Sequence, residues 1–143
     1  QEPTPLPYLV DPKYGSYDVK LSVGIETDAF PEHVISNSNY RNMYWNARQQ
    51  LVHHTVTGCS MRPGDLFGSG TISGQDDTAY GSLLELSWMG SKEIPMPDGT
   101  VRKFLKDGDN VIVRGHCQGD GFRVGFGKCE GKILPAKPYP YTG

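Results

Sequence analysis

Apolar and polar side chains alternate through residues 18–26: Val19, Leu21, Val23 and Ile25 fall on one side, with Lys20, Ser22, Gly24 and Glu26 on the other. A period of two is that of a half-buried strand, so the ordered part of the chain, from Ser16 onward, opens in β structure. The period changes over residues 39–55, where Tyr40, Met43, Tyr44, Ala47 and Leu51 recur at spacings of three and four. That spacing predicts a helix with one apolar face, capped at its start by Asn39 and followed by Gly58. Arg62-Pro63-Gly64-Asp65 is a turn signal, because proline presets the first central position and glycine tolerates positive φ at the second. Two strands are expected after it. Residues 66–73 form a short, glycine-punctuated one; residues 82–88 place Leu84, Leu86 and Trp88 on one face and Leu83, Glu85 and Ser87 on the other. Residues 74–81 between them read as a polar loop. Asp98-Gly99 separates residues 93–96 from 101–105 and predicts a hairpin. Residues 106–109 then turn into a strand at 110–115. In 115–134, Phe122, Val124 and Phe126 alternate among glycines, which predicts a further strand or two with close backbone approach.

One helix and about seven short strands give a β-dominated α+β fold, a mixed β-roll or sandwich with one main helix. A length of 143 residues fits one domain. Four prolines before Tyr14 mark residues 1–15 as an extended connector, residues 16–136 as the domain, and 137–143 as a tail. The 18 glycines exceed an average share of about 7% and agree with many turns. No internal repeat is visible. The chain begins at Gln1 rather than Met, and is read as a piece of something longer.

Charge narrows the possible partners. The formal net charge is −2, and Lys and Arg never cluster into a stripe that would neutralise a run of phosphates, so nucleic acid is not an expected partner. No apolar run reaches the roughly 18 residues of a membrane helix. Cys59, Cys117 and Cys129 are an odd set without C-x-x-C spacing, and no N-x-S/T sequon occurs. Reduced thiols and a cytosolic protein are the expectation.

Several motifs resolve into turns and packing. Asp107-Gly108-Asp109-Asn110 has its glycine at the wrong offset for a calcium loop and lacks the closing Glu. Residues 125–131 carry one residue too many for a dinucleotide fingerprint, with no helix signal after them. His53 and His54 point about 100° apart on a helix and cannot share an ion as an i, i+4 pair does. Cys117 lies beside His116, but neighbours on a strand face opposite ways. Glu85 stands among Leu83, Leu84 and Leu86, where a partly desolvated carboxylate could accept a proton or orient a histidine; a carboxylate on the solvated side of a strand accounts for it more simply. Thr71 and Ser73 offer hydroxyls on a glycine-rich backbone that a ligand can approach, as small residues in a tight sheet also would.

Taken in order, Met43-Tyr44-Trp45, Gln49-Gln50-Leu51 with His53-His54, Arg62-Pro63-Gly64-Asp65-Leu66, residues 69–74 and Leu84-Glu85-Leu86-Ser87-Trp88 resemble the C-terminal half of the fumarylacetoacetase family. Residues 115–121, Phe126-Gly127 and Gly131-Lys132-Ile133-Leu134-Pro135-Ala136 extend the resemblance from Pro5 to Ala136. It implies a β-rich roll in a homodimeric hydrolase that cuts the carbon–carbon bond of a β-diketone, 4-fumarylacetoacetate, into fumarate and acetoacetate, the last step of tyrosine and phenylalanine breakdown. By resemblance, Glu85 is the catalytic carboxylate that pairs with a histidine to activate water, and Thr71 contacts the carboxylate end of the substrate. The family uses Mg²⁺ or Ca²⁺. Its metal-binding carboxylates, its catalytic histidine and its oxyanion-stabilising Arg, Gln and Lys match nothing here, so the resemblance implies no metal ligand in this chain and a need for the N-terminal part of the same enzyme. The alternative is a non-catalytic β module or an inactive fragment.

Overall fold

The computed structural model describes residues 1–138. The predicted first strand is β1 (Val19–Thr27), and it turns directly into β2 (Phe30–Asn39). The hairpin is closed by Thr27 opposite Phe30, with the Thr27 Oγ1 accepting the Ala29 N–H at 3.1 Å. On its other side β1 pairs with β5 (Asn110–Gln118), which pairs with β6 (Arg123–Lys132), so a four-stranded antiparallel sheet runs β2-β1-β5-β6. A second, two-stranded sheet joins β3 (Ile94–Pro95) to β4 (Val101–Arg102) across Gly99, whose φ of +81° is one glycine adopts without steric cost. The fold is the expected β-dominated α+β type, with its antiparallel sheets open.

The apolar side chains predicted to share a face of β1 do so. Val23 and Ile25 join Val111 and Val113 of β5 along an apolar groove of about 340 Å³, roofed in part by Tyr80, Leu83 and Leu86. At one end the face closes into a core of Ile25, Phe30 and Met96, packed with Ile35 and Ile94. Further along it opens: Phe126 of β6 and Leu21 both lie beside Gly115, yet Phe126 is 67% exposed.

The main helix is α1 (Ala47–Thr55), eight residues shorter at its start than predicted. Asn46, not Asn39, is its cap: the Asn46 side chain accepts the Gln49 N–H at 2.9 Å, and the Gln49 side chain accepts the Asn46 N–H at 3.1 Å. Asn39 instead caps a single 3₁₀ turn at Tyr40–Asn42. Residues 1–15 lie along α1, with Leu9 buried in a 3₁₀ turn, Asp11 bonded to Asn46 and Arg48, and Gln1 bonded to Gln49. Of the tail, residues 139–143 fall outside the described residues.

Two predicted strands are corrected. Residues 66–73 make no strand; they run as an irregular loop after the Arg62–Asp65 turn, in which the Asp65 N–H reaches the Arg62 carbonyl at 3.1 Å. Residues 82–88 hold a one-turn helix, α2 (Leu83–Leu86), because the Ser82 hydroxyl accepts the Glu85 N–H and starts helical pairing. Trp88 and Met89 follow with φ of 48° and 56°, a left-handed turn rare outside glycine and asparagine. Among the described residues the strands number six, including β2, whose alternation the sequence does not display.

Between β4 and β5, Asp109 is 1% exposed and receives Arg102 in a fork: Nε to Oδ2 at 2.9 Å and Nη2 to Oδ1 at 2.8 Å. The Lys106 N–H adds a third bond at 2.9 Å. The turn at 106–109 is thus pinned from inside, which is where Asp109 of that motif is spent, while Asp107 is exposed.

Candidate functional site

The glycine-rich loop at 68–74 and the segment 79–86 meet on the β2 side of the sheet. Two serines of β2 hold them there. Ser38 Oγ donates to the Ile72 carbonyl at 2.8 Å and Ser36 Oγ to the Tyr80 carbonyl at 2.6 Å; spaced by two, both project from one face of the strand. The loops touch directly at Gly81, where a Cβ would stand 2.6 Å from Thr71 Cγ2 and 2.7 Å from the Ile72 carbonyl oxygen. Only glycine lets the backbones come this close.

Glu85 projects from α2 into this junction, half-buried rather than on the open side of a strand. Its carboxylate accepts the Ser73 hydroxyl at 2.8 and 2.9 Å, one contact to each oxygen, and the Ser82 hydroxyl at 2.8 Å on Oε2. Ser73 in turn accepts the Gly81 N–H at 3.1 Å. Thr71 is exposed on the same loop, two residues before Ser73, and no hydrogen bond within the described residues occupies its hydroxyl. Thr71 and Glu85 are therefore carried on segments that the fold brings together, though they do not bond one another. A carboxylate so held can accept an N–H or a proton from a group above it; an open threonine hydroxyl can donate to an anionic ligand.

The partners of Glu85 leave a trace in the sequence. Ser82-Leu83-Leu84-Glu85 has the Ser-x-x-Glu spacing of a helix start, a signal that competes with the alternation of Leu84, Leu86 and Trp88 and wins. Gly81 and the two β2 serines carry no comparable mark, since their role arises from which backbone lies opposite.

The other candidates go elsewhere. His53 Nδ1 lies 2.9 Å from the Tyr8 hydroxyl, and His54 Nε2 lies 3.4 Å from Cys59 Sγ. His116 and Cys117 sit opposite Gly125 and Val124 in the β5–β6 ladder, and residues 125–131 are strand. Among the described residues no three His, Cys, Asp or Glu side chains come together. Such a cluster is what a site built wholly from these side chains would need to supply most of the six or more oxygens that Ca²⁺ takes.

Comparison with known proteins places these features in a family. Residues 11–134 match the family model described as fumarylacetoacetate (FAA) hydrolase C-terminal. A Mus musculus protein named fumarylacetoacetase is 54% identical over 137 residues, covering 95% of this chain and 33% of its own length. The Homo sapiens protein of that name is 53% identical over 137 residues, again 95% and 33%. The Arabidopsis thaliana one is 50% identical over 139 residues, covering 96% of this chain and 33% of its own length. The chain spans about a third of the length of the curated relatives it matches.

Proposed function

The chain belongs to the fumarylacetoacetate hydrolase family, and from that premise we propose that it is the C-terminal part of a fumarylacetoacetase, contributing Glu85 and Thr71 to hydrolysis of 4-fumarylacetoacetate into fumarate and acetoacetate. The observation that carries the reading is the junction of the two loops: a half-buried carboxylate fixed by two serine hydroxyls, next to a loop that presents a free threonine hydroxyl. Half-identity to proteins of that name along nearly the whole chain supports it.

In this reading Glu85 accepts a hydrogen bond from the imidazole of a histidine outside this chain, holding it in the tautomer that takes a proton from water. The water adds to a carbonyl of the β-diketone. The bond to the adjacent carbon then breaks, its electron pair leaving with the acetoacetate half as an enolate, which is protonated. Thr71 donates to the terminal carboxylate and sets the register of the substrate. A Mg²⁺ or Ca²⁺ ion would stabilise the developing oxyanion, and in this reading its ligands belong to the rest of a homodimeric enzyme, as the family resemblance implies.

The test is turnover of fumarylacetoacetate by a polypeptide of the relatives' full length, followed by loss of the diketone's ultraviolet absorbance. Glu85→Gln keeps the shape and removes the charge; kcat is expected to fall by about 10²–10⁴-fold with KM nearly unchanged. Undiminished kcat in the folded variant would remove Glu85 from the mechanism. The competing reading, a non-catalytic β module, gains if the 143-residue chain is monodisperse and the full-length protein leaves the diketone untouched.

A further inference from the structure

We infer that Ser73 is the positioning residue of Glu85, and that its hydroxyl leaves Oε1 as the carboxylate oxygen through which Glu85 acts. The inference rests on the reading of Glu85 as the working carboxylate.

A serine hydroxyl has one proton to give and accepts on its lone pairs. Ser73 Oγ already accepts the Gly81 N–H, so its proton is directed to the carboxylate, where it is shared between Oε1 at 2.8 Å and Oε2 at 2.9 Å. Oε2 takes a second donor, the Ser82 hydroxyl at 2.8 Å. Oε2 therefore holds two hydroxyl contacts and Oε1 one. The oxygen with the unused lone pair is Oε1, and a further N–H or O–H donor is best accommodated there.

The two serines differ in what they couple. Ser82 is local: it belongs to the turn that carries Glu85 and also receives that residue's own N–H at 3.3 Å. Ser73 comes from the other loop and is held on both sides. The carbonyl before it, on Ile72, is fixed by Ser38 of β2, and the N–H after it, on Gly74, is bonded to the Ala79 carbonyl at 2.8 Å. Anchored between these peptides, Ser73 ties the plane of the Glu85 carboxylate to the loop that bears Thr71. If Thr71 fixes one end of the substrate and Glu85 fixes the base, Ser73 sets the distance between them. A misplacement of about 1 Å at such a point costs on the order of 10²-fold in rate.

The experiment is a double-mutant cycle in the full-length enzyme, with Ser73→Ala, Glu85→Gln and both together, plus Ser73→Thr. Ser73→Ala is expected to lower kcat by about 10–100-fold, with KM and Tm close to wild type, and Ser73→Thr to recover most of the loss. In the Glu85→Gln background Ser73→Ala should change kcat no further, since the group it positions is already gone. Equal losses in both backgrounds, or full kcat in Ser73→Ala, overturn the positioning role while leaving Glu85 in place. Normal turnover by Glu85→Gln overturns both readings. If Ser73→Ala does not fold, Ser73→Cys, close in shape and a weak donor, takes its place; wild-type kcat in that folded variant also overturns the inference.

Discussion

Thr71 packs its methyl against Gly81, but its hydroxyl has no partner inside the described fold. Ser73, Ser36 and Ser38 all spend their hydroxyls on loop contacts, whereas that of Thr71 is exposed. Its loss should be felt by the ligand rather than by the protein. Thr71→Val, which keeps the branched shape, is expected to raise KM for fumarylacetoacetate by about 5–15-fold, the worth of one hydrogen bond of about 1–1.5 kcal/mol, with Tm unchanged; steady-state kinetics and a thermal melt check this together. An unchanged KM would take Thr71 out of the binding site. Neither Thr71 nor Glu85 was identifiable from spacing alone. Each became a candidate through the segment around it, because a lone carboxylate among leucines and a lone hydroxyl among glycines have ordinary packing explanations. The helix-start spacing of Ser82 and Glu85 stands in the sequence too, but the apolar alternation of 82–88 reads as a strand and masks it.

At the scale of elements, legibility follows whether one side chain face meets one environment. β1 was readable because Val19, Leu21, Val23 and Ile25 share the apolar face. Its partner β2 was not: Ser36 and Ser38 occupy register positions opposite Val23 and Leu21 and use that face to hold loop carbonyls, so the strand shows polar residues where a core strand shows valine. The hairpin of β3 and β4 was readable from its Asp-Gly turn, but it is only two residues long on each side, and what secures it is the clasp from Arg102 to Asp109. Removing one member of a buried fork leaves the other charge unpaired. Arg102→Ala should therefore destabilise the fold by about 3–5 kcal/mol, read as a lower urea midpoint. Arg102→Lys, which keeps the charge but not the planar fork, should recover only part of it. A loss below about 1 kcal/mol in Arg102→Ala would show the clasp to be dispensable.

Across the whole molecule, several carboxylates with firm partners are displaced in the same direction. Burial opposes the charge of Asp109, but Arg102 and the Lys106 N–H outweigh it and hold the carboxyl below its ordinary value. Glu32 is held low by the Arg114 guanidinium, Asp18 by the Asn39 amide and Asp98 by the Thr100 hydroxyl. Folded values below unfolded ones mean that their stabilisation is fully present above the unfolded pKa, about 4, and is lost as pH falls through the lower folded values. Stability should be flat from about pH 7 to 5 as far as these groups are concerned and drop below about pH 4, which urea unfolding at three pH values will show; a decline already complete by about pH 5 would contradict the assignment. One consequence of the strand order is a matter of time. β1 lies between β2, its immediate successor, and β5, which follows β2 by roughly 80 residues, so a ribosome adding about 5–20 residues per second delivers the second partner roughly 4–16 s after the first. For that interval the nascent hairpin waits with one row of amides and carbonyls unanswered, and whatever shields that row in the cell guards the sheet before the site exists.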